Sequence, residues 1–355
     1  MNLPAPDDPL AMPYPPRFTM VGELGFASGE EVICRDRAAP PSRSRVGLVE
    51  PVQPPSQVCE TSNTVPRVTG TSDGGCPVSF HRYVALGDSF TEGVGDPDPA
   101  RPNGVRGWAD RVAEVLAAQT EDFGYANLAI RGRKLRQVTT EQVAPAIALE
   151  PDLISLYAGG NDVLRPKVDI DGLIAIYDAG IARLAATGAR IVLFTAYDPG
   201  GPDASGPFGA FRGRFAIYNE LVRQVADRHG VTLVDFWRMR ELNDLRMWDV
   251  DRMHLASPGH VWMAIMVLNA LAVEHDLQPL PLPAPPVLSG RQRRAEDLTW
   301  ARSYLVPWVK RRVTGTSSGD NMRPKYPVMN SFADRGNENS TVDNSRDGSL
   351  GSGVD

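Results

Sequence analysis

The sequence has only three cysteines in 355 residues, Cys34, Cys59 and Cys76, all ahead of the first strand-like run. Their odd number and spacing match no zinc or redox motif, so they read as incidental thiols of a reducing compartment. Long apolar runs are missing as well. The most apolar window, Val261 to Val273, is too short to span a bilayer and is interrupted by Asn269, which suits a buried helix. The N-terminus, MNLPAPDDPLAMPYPP, has early acids and prolines and lacks the apolar core of a secretory signal. A cytoplasmic protein with no membrane span is therefore expected. There is no excess of positive charge either. A formal net charge of -6 gives no global attraction to nucleic acid, so no nucleic-acid partner is expected. No G-x-x-x-x-G-K-[ST] loop occurs and the early glycines do not form G-x-G-x-x-G, which leaves a nucleotide site without support.

What is present is unevenly spread. Apolar residues make up 42 %, enough for a sizeable core, while the 31 prolines gather mainly towards the two ends. Residues 1–80 are rich in Pro, Ser, Thr and Gly without sustained apolar periodicity, and a segment of that kind cannot offset its ordering entropy. They are expected to form a disordered arm. Residues 315–355, rich in Ser, Asn, Gly and Asp, are expected to be a disordered tail. Between them, 281–314 is an extension that mixes Trp300, Tyr304 and Trp308 with Arg302, Lys310, Arg311 and Arg312. Basic and aromatic residues together can meet an anionic surface, but the apolar positions equally suit packing on the main domain, which is the reading preferred.

Residues 81–280 have a different texture. Strand-length apolar runs, Tyr83–Leu86, Tyr125–Ile130, Leu153–Tyr157, Ile191–Ala196 and Val231–Phe236, alternate with helical stripes. The stripes pass through Trp108, Val112, Val115 and Leu116, through Leu173, Tyr177, Ile181 and Leu184, through Ile217, Leu221, Val222 and Val225, and through Val261, Ile265, Leu268 and Ala272. Alternating β and α predicts a parallel sheet covered by helices on both faces, with functional groups in the loops at the carboxyl ends of the strands.

Those loops hold reactive residue types. The first run ends Gly87-Asp88-Ser89, where a serine can face the crevice and offer its backbone N–H to a developing oxyanion. The second ends at Gly132, whose N–H can approach a ligand closely. The third ends Gly160-Asn161-Asp162 and brings a side-chain amide donor to the same rim. Late in the chain, Asp251-Arg252-Met253-His254 spaces a carboxylate three residues from an imidazole. One turn can then hold the two in contact, fix the tautomer and leave Nε2 free to take the serine proton.

Each residue also has a plainer reading: Ser89 as a turn cap, Gly132 as a strand end, Asn161 as an Asx-turn, Asp251 and His254 as a surface ion pair. Asp88 and Asp162 suit loop ordering through backbone N–H groups. Arg131 and Arg133, beside Gly132, read as solvated charges. His260, in the first turn after Ser257-Pro258 as N-cap and N1, reads as structural. His229 reads as solvated. The two G-x-S-x-G matches, Gly70–Gly74 and Gly315–Gly319, lack the strand and helix that a nucleophile elbow requires.

The order of the blocks favours the functional readings. Gly87-Asp88-Ser89, Gly132, Gly160-Asn161-Asp162 and Asp251-x-x-His254 resemble the four sequence blocks of the SGNH (GDSL) hydrolases, and the likeness spans roughly Tyr83 to His275. The resemblance implies a three-layer α/β/α fold of flavodoxin-like type with a five-stranded parallel sheet, and esterase or lipase activity on a small-molecule acyl ester. It implies Ser89 as nucleophile, His254 as base, Asp251 as its partner, and Ser89 N–H, Gly132 N–H and the Asn161 side chain as oxyanion donors. No metal or organic cofactor is implied. Two other functions use the same residues or the same fold: acyl transfer to an alcohol, and a binding protein that has the fold without the chemistry. Acyl-chain length and the alcohol part belong to pocket walls such as the Gly200–Phe211 loop.

Overall fold

The computed structural model describes residues 79–199 and 209–331. The expectations for residues 1–78, with the three cysteines and the first G-x-S-x-G match, for most of the 200–211 loop and for the tail after 331 lie outside the described residues.

Each of the five apolar runs forms a strand: β1 (Arg82–Gly87), β2 (Gly124–Asn127), β3 (Leu153–Tyr157), β4 (Arg190–Phe194) and β5 (Thr232–Val234). They pair in parallel, and a sixth strand, β6 (Tyr326–Ser331), joins antiparallel to β2. The order across the sheet is β5-β4-β3-β1-β2-β6. β2 ends at Asn127, but Leu128 and Ile130 continue beside β1, their N–H groups donating to Ala85 O at 2.9 Å and Gly87 O at 3.3 Å. The Asn127 side chain ties this segment down: its Oδ1 accepts from Ala129 N–H at 3.1 Å and its Nδ2 donates to Thr91 O at 3.0 Å, ahead of the loop that carries Gly132.

The helices between strands are α1 (Ser89–Glu92), α2 (Gly107–Gln119), α3 (Leu135–Glu141), α4 (Val143–Ala148), α5 (Gly160–Val163), α6 (Ile170–Ala185), α7 (Arg212–His229) and α8 (Ser257–Ala270). Period-two alternation divides the strand side chains between two cores. Tyr83, Ala85, Val192 and Phe194 pack with α2 and α8 on one face, while Val84, Leu86, Ile191 and Leu193 pack with α3, α4, α6 and α7 on the other. Burying a Leu or Phe side chain contributes about 1.5–3 kcal/mol, so doubly covered strands must be apolar on both faces. The result is a three-layer α/β/α arrangement with the strand ends, and the candidate residues, along one edge.

Four expectations are corrected. The sheet has six strands among the described residues rather than five, and the sixth is antiparallel. The tail expected from Gly315 onward is structured over its described residues, 315–331, because Lys325 and Tyr326 are buried against α2 and β2. Isolated anchors of that kind leave no periodicity to read. The stripe on α7 holds only in its second half: Val222 and Val225 are buried, but Ile217 is 56 % exposed, and Phe215 and Tyr218 complete the buried face. Ser257 does not cap α8. It is the first helical residue, and its hydroxyl donates to Asp96 Oδ1 at 2.6 Å.

Beyond α8 the extension forms α9 (Gly290–Trp300), a π-helical turn over Ala301–Leu305 and α10 (Val306–Thr314), which ends at Gly315 in the left-handed conformation. Pro307 sits in the first turn of α10, where its missing N–H costs little, so it does not break the run.

Candidate active site

Ser89 follows β1 directly. Gly87 makes the turn with φ +148°, and a Cβ there would collide with Tyr157 O, so only glycine fits between the strand and α1. Asp88 caps α1 by accepting from Phe90 N–H at 3.2 Å, which holds Ser89 at the first helical position. Burial pushes the Asp88 carboxyl up to about 7, against the pull of that backbone bond and of the His254 charge.

Asp251 and His254 lie in a tight loop closed by pairing of Trp248 with Leu255 and by a 2.8 Å bond from Asp249 N–H to His254 O. Asp251 Oδ1 accepts from Met253 N–H at 2.8 Å and His254 N–H at 3.0 Å, while Oδ2 lies 2.6 Å from His254 Nδ1. Burial alone would raise the Asp251 carboxyl, but the hydrogen bond and charge of His254 hold it below the usual range. His254 Nε2 lies 3.0 Å from Ser89 Oγ. Three residues separated by up to 165 positions in sequence thus form one hydrogen-bonded chain.

Asn161 is the second residue of α5, which follows the end of β3. Its Nδ2 donates to Asp88 Oδ2 at 3.1 Å and to Arg133 O at 3.2 Å. Ser89, Asn161 and His254 line one cavity, whose apolar wall includes Phe90, Tyr157 and Phe236. Asp251 stands behind His254. Gly132 (φ +77°) is in the loop after β2, but it is not among the described residues that line the cavity, and Ser317 Oγ occupies the position of its absent Cβ.

The other residues of the rim are placed as follows. Asp162 orders its loop as expected, accepting from Leu135 N–H at 2.9 Å. Arg131 is not solvated: it forms an ion pair at 2.7 Å with the buried Glu92, and Arg133 pairs with Glu141 at 3.0 Å. His229 is also paired, at 2.7 Å from Asp178 Oδ1. His260 is structural, fully buried between Trp108 N–H and Val94 O. The second G-x-S-x-G match follows a helix, and its Ser317 covers Gly132. Among the described residues no group of three or more His, Cys, Asp and Glu side chains is placed to hold a metal ion, and no helix is long and apolar enough to cross a membrane.

Sequence reasoning missed that the extension reaches this site. Trp300 Nε1 donates to Asp251 O at 2.9 Å, and Trp308 and Arg312 line the cavity. Arg312 Nη1 donates to Asn161 O at 2.9 Å and Nη2 to Asn161 Oδ1 at 3.2 Å. The basic aromatic composition of the segment was the only signal, and it named neither the residue nor its target.

A serine–histidine–carboxylate chain at the carboxyl edge of an α/β/α sheet defines a class, the hydrolases that act on acyl groups. The chain belongs to the GDSL-like lipase/acylhydrolase family, whose family model matches residues 85–262, and it is thereby a hydrolase of ester bonds. No curated protein matches it closely enough to count as a relative. Among solved structures it is similar to LAE5, an alpha/beta hydrolase enzyme from the metagenome of Lake Arreo, Spain. There the identity is 25 % over 56 % of this chain and 98 % of that one, with a TM-score of 0.47. It is also similar to Axe2, an acetylxylan esterase from Geobacillus stearothermophilus, at 22 % identity over 55 % and 96 % of the two chains and a TM-score of 0.45. A third, the acetyl xylan esterase AlAXEase, has 21 % identity over 54 % and 99 %, with a TM-score of 0.45.

Proposed function

We propose that the protein hydrolyses acyl esters through an acyl-enzyme on Ser89. The observation that carries this reading is the 3.0 Å approach of His254 Nε2 to Ser89 Oγ, with Nδ1 of the same ring 2.6 Å from Asp251. His254 takes the proton from Ser89 as the oxygen attacks the ester carbonyl, then gives it to the departing alcohol. Asp251 holds the ring in the tautomer that leaves Nε2 free to accept. Water, deprotonated by the same nitrogen, releases the acid and restores the serine.

The oxyanion formed at each addition takes N–H groups of Ser89, Gly132 and Asn161. Asn161 serves by exchanging its bond to Asp88 for one to the oxyanion. Support for this comes from the near-neutral Asp88 carboxyl, a weaker acceptor than a full carboxylate.

The test is hydrolysis of p-nitrophenyl esters from acetate to long acyl chains by wild type and Ser89→Ala, with folding followed by circular dichroism. Loss of turnover in a folded variant is expected, and the chain-length profile separates an esterase from a lipase. A folded Ser89→Ala protein with wild-type rates would overturn the reading.

A further inference from the structure

Arg312 stands on α10, outside the segment matched by the family model, and lines the cavity beside Asn161. Its guanidinium lies over the Trp308 ring, 3.9 Å from the centroid, and that ring shields one face from water. Its two hydrogen bonds go to the uncharged oxygens of Asn161. Among the described residues no carboxylate lies within ion-pair distance of it, although Arg131 and Arg133 on the same rim each have one.

The carboxyls at hand are committed elsewhere. Asp162 accepts from Leu135 N–H and acts on Arg312 only through space, and Asp88 accepts from Phe90 N–H and Asn161. Arg312 Nε is buried without an acceptor, and so is Nε of Arg165, whose charge adds to that of Arg312. Burial and Arg165 together bring the Arg312 guanidinium down to about 10, which leaves it cationic at neutral pH. A half-buried cation without an anion is costly, and an apolar side chain would close the same wall without that cost. A cation set in the wall of a reaction cavity without a counter-charge is a place where an anionic group can bind.

We propose that Arg312 binds a carboxylate of the substrate, so that the site takes esters bearing a carboxylate on their acyl or alcohol part. Two of its five N–H groups hold Asn161, and the second hydrogens of Nη1 and Nη2 remain for the ligand. The inference rests on Ser89 as the nucleophile of the same cavity.

The experiment uses the full chain and two matched pairs of esters. 4-Acetoxybenzoate against its methyl ester places the charge on the alcohol part, and phenyl hydrogen glutarate against phenyl methyl glutarate places it on the acyl part. The readout is the ratio of kcat/KM for the anionic over the neutral ester in wild type, Arg312→Gln and Arg312→Lys. Comparing ratios between proteins cancels the intrinsic reactivity of the esters. Arg312→Gln is expected to lower the ratio about tenfold or more for one pair, the size of a lost bond to a charged group. Arg312→Lys should retain most of it, and the affected pair identifies the side that carries the charge. Ratios unchanged in both pairs, as they would be if Arg312 only oriented Asn161, overturn the proposal.

If Arg312→Gln does not fold, wild type alone decides. Added NaCl should raise KM for the anionic ester and leave the neutral one unaffected, and equal salt responses overturn the proposal. Ser89→Ala assayed on the neutral esters keeps the two claims apart. Turnover retained there sinks the serine mechanism, whereas an inactive Ser89→Ala with unchanged Arg312 ratios sinks only the anion site.

Discussion

Lys325 and Asp110 form an ion pair at 2.7 Å in which neither side chain keeps any exposure. Lys325 spends its other donors on Glu92 O and Arg106 O, and Asp110 also accepts from Tyr125 Oη at 2.9 Å. The segment leading into β6 is thereby tied to α2. Burial pulls the Lys325 ammonium down and pushes the Asp110 carboxyl up, each opposed by the charge of the other. Lys325→Met is expected to cost about 3–5 kcal/mol, because it strands a buried carboxylate. Adding Asp110→Leu should recover much of that loss. Urea unfolding of the single and double variants measures both, and a double variant no more stable than the single one would contradict the account.

Asp251→Asn keeps the shape of the loop but removes the charge beside His254 Nδ1. A thousandfold or greater loss in kcat, on the order seen when such a carboxylate is removed, is expected with little change in KM. Steady-state kinetics on a p-nitrophenyl ester checks it, and a loss confined to KM would count against the role assigned to Asp251.

Acid should destabilise the fold through His260. Burial holds this imidazole down to about 4, with Nδ1 accepting from Trp108 N–H and Nε2 donating to Val94 O, both at 3.2 Å. Its folded value lies below the unfolded one, so the unfolded chain binds the proton first. The contribution is complete above the unfolded value of 6.5 and falls away as the pH drops from there towards about 4. The slope approaches 1.4 kcal/mol per pH unit. Urea midpoints across that range should decline in wild type, and the decline should be shallower in His260→Gln even though that variant is less stable throughout.

Gly132→Ala meets two obstacles, a left-handed φ of +77° and Ser317 Oγ in the space that the new methyl needs. A cost of about 1 kcal/mol or more is expected, together with faster hydrogen exchange in Ser317–Gly319 and lower esterase activity. Exchange rates equal to wild type would mean that Ser317 does not cover Gly132 in solution.

Features written in adjacent residues were legible in advance. The strands from β1 to β5 overlap the apolar runs to within about a residue at their starts, and Gly87-Asp88-Ser89 and Asp251-x-x-His254 carry their geometry in their spacing. The buried face of α7 was only partly legible, because Ile217 and Leu221 are apolar residues that face outward or lie only half buried, while the buried Tyr218 carries a polar hydroxyl that reaches Ala158 O at 2.6 Å. The environments of Arg131 and His229 were equally hidden, since Glu92 lies 39 positions from the first and Asp178 51 from the second.

The sequence by itself determined the alternating α/β plan and the residue types at the strand ends, because periodicity and turn chemistry act over a few neighbouring residues. Only the tertiary structure decided that the chain from α9 to β6 returns to this edge of the sheet. It alone set Arg312 on Asn161 across 151 positions and Lys325 on Asp110 across 215. The reason is physical. A buried charge is stable only where a partner meets it, and which residues meet is settled by the packing of distant elements rather than by any local pattern.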